Sequence, residues 1–252
     1  MRLADPSTRI QLCGRPAVVL DGERLEEKLP GRQGRFLFVY LAANRHRSVS
    51  RDELIEALWP NETPAAAAAA LSALLSKLRR ALGQGRLEGR GDVRLVLPAG
   101  AWIDLEAATE AVHRAESAVT LADWTGAYGP ARVAQHVGLR GFLPGEDAPW
   151  IDEIRRRLDD MLIRGLECHA RACLGIGGTE LATAGRAARL LVERAPYRES
   201  GYRFLMDLHV RAGNAGEAVR VYDGLQRRLR EDLGIAPGAE TQELYERLVL
   251  HA

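Results

Sequence analysis

Two observations predict the fold class. Before residue 104 short β-type runs alternate with three helical patterns and close in a hairpin; after it strands vanish, helical periodicity takes over and positions echo one another at a spacing of 34 residues. The sequence therefore predicts an α+β winged helix-turn-helix domain over residues 1–103, followed by an all-α, tetratricopeptide-like helical domain over residues 104–252. The linker is expected near Asp104.

The first strands are read from "IQLC" and "AVVL", residues 10–13 and 17–20, with a further β-type run around Arg24 to Leu29 closed by Pro30-Gly31. They make a small antiparallel sheet. From Gly34 the period changes: Phe36, Val39, Tyr40 and Ala43 share one helical face, and "NRHR" ends that helix with cations, which its dipole favours. The segment "VSRDELIEALWP" holds a complete start signal, with Ser50 and Glu53 as a capping box, Val49 and Leu54 as a hydrophobic staple, and Pro60 at its end. In "NETP", Thr63 serves as N-cap and Pro64 as the first residue of a third helix. Beyond it, "GRLEGRGDVRLVL" reads as a hairpin turning near Gly89 to Asp92.

In the second half, Trp150, Ile154, Leu158, Leu162 and Leu166 mark one face of a helix. Ala184, Ala188 and Leu191 are followed 34 residues later by Ala218, Tyr222 and Leu225, the period of a tetratricopeptide repeat. Tyr202, Leu205 and Gly213 suit the first helix and turn of the second unit. Arg230 stands where Pro196 closes the first.

The formal charge of +1 conceals an asymmetry. Residues 1–100 carry 16 Lys plus Arg against 11 Asp plus Glu, and the remainder 19 against 23, so the positive field belongs to the first half. Nucleic acid is a plausible partner there. No run of 18 apolar residues occurs and "MRLADPSTRIQL" lacks the apolar core of a secretory signal, so no membrane partner and a cytoplasmic location are expected. Cys13, Cys168 and Cys173 read as reduced core residues.

The stretch "TPAAAAAALSALLSKLRRALG" decides the functional reading. On a helical wheel Leu71, Leu75, Leu78 and Leu82 face the core with Leu74 beside them. The opposite face carries Ala65, Ala66, Ala69, Ser72, Ala73, Ser76, Lys77 and Arg80, with Arg79 at its margin. Small side chains permit close approach to a major groove, where Ala73 can touch thymine methyls and Ser72 and Ser76 can bond to bases or phosphates. Lys77, Arg79 and Arg80 can anchor to phosphate; alanine is also the best helix former, and cations suit a helix C-terminus, so a stable helix without DNA remains the competing account. In the hairpin, Arg90 suits a narrow minor groove and Arg94 lies nearby, while Arg51 at the start of the capped helix can meet a phosphate.

The motifs "VSRDELIEALWP", "LSKLRRALG", "APWIDEIRRRL" and, above all, "RESGYRFLMDLHVRAGNAGEAVRVYDGLQRRLREDLGIAPGAETQELYERL" resemble bacterial regulators that join an OmpR-type winged helix to a bacterial transcriptional activation domain, many of which control antibiotic pathways. The resemblance covers nearly the whole chain. It implies sequence-selective promoter binding, RNA polymerase as partner, a winged helix followed by tetratricopeptide-like helices, and possible pairing with a second protomer. Two departures stand out: Ala69 and Ser72 replace the Asn and Gln that many relatives carry, and the wing has "PAGAW" in place of a Pro-Gly-Tyr-like run. A protein-interaction scaffold whose winged helix has lost base readout is the alternative these departures suggest.

Catalytic and cofactor constellations are not found. Lys28 and Lys77, the two lysines, are not preceded by glycine, so there is no phosphate loop, and the chain resembles the short form of the family without an ATPase portion. The six histidines show no H-x-x-x-H spacing, "CHARAC" at residues 168–173 lies in an apolar helical pattern, and "GIGG" at residues 175–178 follows no strand. Asp159-Asp160 and Glu231-Asp232 suit solvated helix faces. No enzyme, metal or cofactor is expected.

Overall fold

The computed structural model describes residues 7–61 and 63–250, with side chains described as far as Arg247 in the last helix. The first six residues of the segment read for a secretory signal lie outside this range. The described residues form two compact units, the first running to Ala107 and taking in Arg140–Leu158, the second formed by Ala108–Leu139 and the residues from Asp159 on. Among them no helix is long and apolar enough to cross a membrane.

In the first unit, strands β1 (Arg9–Gln11), β2 (Ala17–Leu20) and β3 (Glu23–Arg24) pair antiparallel as their alternation requires. The third run is a strand for two residues only, and its remainder is turn. Helix α1 (Gly31–Ala43) buries Leu37, Phe38, Val39, Tyr40 and Leu41. Strand β4 (Val49–Ser50) leads directly into α2 (Arg51–Leu58), where the Ser50 hydroxyl accepts the Glu53 amide at 3.2 Å. The Glu53 carboxylate accepts from Tyr40 Oη at 2.5 Å and from Arg47, tying α1 to α2. Arg47, then Tyr40, hold that carboxyl below its ordinary range, while burial works against them.

Helix α3 (Ala67–Leu82) begins later than its capping signal suggests. The amide of Ala67 bonds to Pro64 O at 2.9 Å, closing an i to i+3 turn, so Ala66, which has no capping side chain, occupies the N-cap and Thr63 does not. Strands β5 (Leu87–Glu88) and β6 (Asp92–Leu95) form the expected hairpin, and β6 also pairs with β4 to give a sheet of order β4-β6-β5. Gly89 in the hairpin loop has φ +86°, and a Cβ there would run into the Asp92 carbonyl oxygen, so the turn requires glycine.

The "PAGAW" run does not belong to the wing. Ala101 N bonds to Pro98 O at 3.1 Å in a turn, and Trp102 opens β7 (Trp102–Ile103), which pairs parallel with β1 at the edge of the first sheet. That sheet is thus mixed rather than wholly antiparallel.

Helix α4 (Asp104–Thr120) follows β7 without an intervening loop. The expected linker at Asp104 is absent for a physical reason: its carboxylate is fully buried and accepts the amides of Leu12 at 2.8 Å and Cys13 at 3.0 Å, with Arg140 at 3.7 Å. Those amides would otherwise be left unpaired past the end of β1. Trp150 lies in the helix its four-residue spacing predicts, Pro149–Ile176, but at the end of it that belongs to the first unit. Its ring meets Phe36, Tyr40 and Phe142 edge-on at 5.0, 4.9 and 5.8 Å, and its Nε1 donates to Ala57 O at 3.2 Å, all within the first unit.

Helices α5 (Trp124–Arg140), α6 (Pro149–Ile176), α7 (Leu181–Arg194), α8 (Glu199–Arg211), α9 (Ala215–Leu233) and α10 (Ala239–Leu250) follow α4 along the chain, and the second unit, which takes α6 from Asp159 on, is helical. Helices α7 and α9 carry the echoing positions, and Ala184, Ala188, Leu191, Ala218, Tyr222 and Leu225 are all buried. Where Pro196 follows the end of α7, Arg230 lets α9 continue to Leu233, burying Leu229 before Gly234 ends it at φ +70°. Cys168 and Cys173 are buried in α6, and burial pushes both thiols up to about 11. The architecture is a winged helix-turn-helix and a tetratricopeptide-like helical domain.

Candidate nucleic-acid interface

The apolar periodicity of α3 fixes which of its faces is available. Leu71, Leu75 and Leu78 are completely buried and Leu82 nearly so, which turns Ala69, Ser72, Ala73, Ser76, Lys77 and Arg80 outwards; all six are exposed. Arg79 is half-buried at the margin of this face. The connection from α2 to α3 spans residues 59–66, longer than the three or four residues of a compact helix-turn-helix.

The candidate cations divide into two groups. Among the described residues, the side chains of Lys77, Arg80 and Arg90 make no hydrogen bond or ion pair, and neither does Ser76. Arg51 and Arg79 are engaged. Arg51 Nη2 donates to Ser72 Oγ at 2.5 Å and to Ala68 O at 3.3 Å, and its Nη1 to Arg90 O at 3.4 Å. Arg79 Nη2 donates to Gly89 O at 2.6 Å. Ser72 in turn donates its hydroxyl proton to Ala68 O at 2.8 Å, so this hydroxyl is occupied both as donor and as acceptor. Arg94 faces Glu88 across the hairpin and its Nε lies 3.4 Å from Arg45 O.

Sequence reasoning missed the bracing beneath this surface. Arg45 makes a two-pronged contact with Glu106 at 2.6 and 2.5 Å, and His46 Nε2 lies 2.8 Å from the same carboxylate. The partners are 61 and 60 residues apart, so only the cationic "NRHR" run could hint at them. Among the described residues no cluster of three His, Cys, Asp or Glu side chains is arranged to hold a metal ion.

An exposed, cation-tipped third helix beside a three-stranded sheet, joined in one chain to paired helices, defines the class by its architecture: a winged helix-turn-helix domain followed by a tetratricopeptide-like helical domain. The chain belongs to the bacterial transcriptional activator domain family, whose profile matches residues 103–249, and the profile of the transcriptional regulatory protein C-terminal family matches residues 26–90. It is 33% identical over 241 residues to the regulatory protein AfsR of Streptomyces coelicolor, a match covering 91% of this chain and 23% of AfsR. It is 26% identical over 246 residues to the transcriptional regulatory protein EmbR of Mycobacterium tuberculosis, covering 94% of this chain and 62% of EmbR. The chain thus spans under a quarter of AfsR and less than two thirds of EmbR. The solved structure of Mycobacterium tuberculosis EmbR in complex with a low affinity phosphopeptide has the same fold, with a TM-score of 0.82 at 22% identity, over 98% of this chain and 66% of that one.

Proposed function

We propose that the protein is a sequence-selective, DNA-binding transcriptional activator. The outer face of α3 enters the major groove of promoter DNA, with Ala73 and Ser76 towards the bases and Lys77 and Arg80 on phosphates, while Arg90 reaches from the wing towards the minor groove. Arg94 offers its terminal nitrogens to the backbone, since its Nε is directed at Arg45 O. The observation that carries this reading is the unpaired state of Lys77, Arg80 and Arg90 among the described residues, on a helix and wing where Arg51, Ser72 and Arg79 are engaged within the protein.

The helical domain contacts RNA polymerase, and a second protomer joins the first on tandem sites. The protein acts in the cytoplasm without cofactor, metal or catalytic centre. Membership of the activator-domain family supports the polymerase contact.

A titration at several salt concentrations, on the best native site and on a scrambled duplex, tests the reading. Specific binding should exceed nonspecific binding by at least about 1000-fold and weaken steeply with salt. Ser72 favours one competitor. Its hydroxyl is committed within the protein and the first turns of α3 offer mainly alanine methyls, so a scaffold that has lost base readout follows if neither duplex binds.

A further inference from the structure

We infer that Arg51 and Arg79 are positioning residues that clamp the wing against the third helix, with Ser72 as the seat of Arg51, rather than anchors for DNA phosphate. The inference deepens the DNA-binding reading and rests on it for its functional consequence.

The wing loop has little to hold it by itself. Residues 89–91 join a strand of two residues to one of four, and two of the three loop residues are glycine, the type with most backbone freedom to lose. Its two consecutive carbonyls, Gly89 O and Arg90 O, each accept from a guanidinium rooted elsewhere: Arg79 on α3 at 2.6 Å and Arg51 on α2 at 3.4 Å. Hydrogen bonds from an ionised donor are stronger than neutral ones.

Arg51 is itself fixed. It donates to Ser72 Oγ at 2.5 Å and to Ala68 O at 3.3 Å, and Ser72 is locked by donating to Ala68 O, so helix α2, helix α3 and the wing loop meet at one planar group. The Arg90 side chain, exposed and unpartnered among the described residues, springs from one of the held carbonyl units. The spacing between the reading face of α3 and the wing cation is therefore set by Arg51 and Arg79, and these two positions decide which groove geometry the pair can span.

The test uses the full chain and two independent measurements. In the DNA-free protein, amide hydrogen exchange over residues 87–95 should become about 5- to 30-fold faster in Arg51→Ala and in Arg79→Ala, with the buried stripe of α3 unchanged; Ser72→Ala, a milder change that removes only the seat, should act in the same direction. On DNA, Arg90→Ala should lower the salt slope by about one in the wild-type background and by much less in the Arg51→Ala, Arg79→Ala background, because the arginines act through Arg90. Unchanged wing exchange overturns the inference, as does a slope loss of about one for each of Arg51 and Arg79 that adds to that of Arg90. If the wild-type protein binds no duplex, the DNA-binding reading fails and exchange alone decides the clamp.

Discussion

The indole of Trp150 stands edge-on to the ring of Tyr40, with centroids 4.9 Å apart and planes at 88°, and its Nε1 donates to the Ala57 carbonyl. Tyr40 reaches on to Glu53, so one aromatic contact ties the segment around residue 150 to both α1 and α2.

Removing that ring should loosen the packing of α1 and α2. Trp150→Ala is expected to destabilise the first unit by about 3 kcal/mol, through lost packing and an orphaned carbonyl at Ala57. For the same reason a fragment of residues 1–103 should melt well below one of residues 1–158, since it lacks Asp104, Phe142 and Trp150. Thermal melts followed by circular dichroism compare them, and equal melting temperatures would show that the returning segment contributes nothing.

Two kinds of substitution on α3 should separate affinity from selectivity. Lys77→Ala or Arg80→Ala should weaken binding to all duplexes and lower the salt slope by about one each. Ser76→Ala or Ala73→Asp should change the preference between sites by roughly 1 to 3 kcal/mol at a directly read base pair. Titrations over a range of salt check both, and the outcome is independent of the wing.

Ala218 has no exposed surface and lies with Met206 and Tyr222, with Leu244 and Tyr245 packed against the cluster. Replacing it by Leu should overpack this contact and cost roughly 1 to 3 kcal/mol. A thermal melt decides the matter: an unchanged midpoint would mean that the helices part without penalty.

His169 provides a pH signature for the second unit. It is buried, and its Nδ1 lies 2.6 Å from Gln135 Oε1; burial first, then Arg132, push its pKa from 6.5 to about 4 against the opposing influence of Glu180, with Arg186 adding the smallest push downwards. The unfolded chain binds a proton below pH 6.5 that the folded one refuses until about pH 4. Stability is therefore complete above 6.5 and falls through that window, by up to about 3 kcal/mol. Urea unfolding across the window should show this loss in the wild-type protein and a flatter profile in His169→Gln. Equal profiles would remove His169 as its source.

Much of this architecture was legible locally. The Ser50 cap, the hairpin turn near Gly89, the leucine stripe of α3 and the 34-residue echo from Ala184 to Ala218 all depend on hydrogen bonds or side-chain spacings within a turn or two of chain. The exposure of Ala73, Ser76, Lys77 and Arg80 followed from the same spacing, because burying four leucines of one stripe leaves the opposite face outside. Asp104, Trp150, Arg51 and Arg79 were a different matter. Nothing local to Asp104, Arg51 or Arg79 announces its partners: the chain returns to place amides 92 and 91 residues away against the first and wing carbonyls 39 and 10 residues away against the other two. Sequence periodicity by itself determined the elements only in part: the inward face of α3 and the echoing positions of α7 and α9 were set by it, since side-chain spacing is a short-range property of the backbone. Which polar groups are satisfied within the protein, and which cations are left without a partner among the described residues, was decided only by the tertiary structure, because a hydrogen-bond partner is fixed by where distant segments meet.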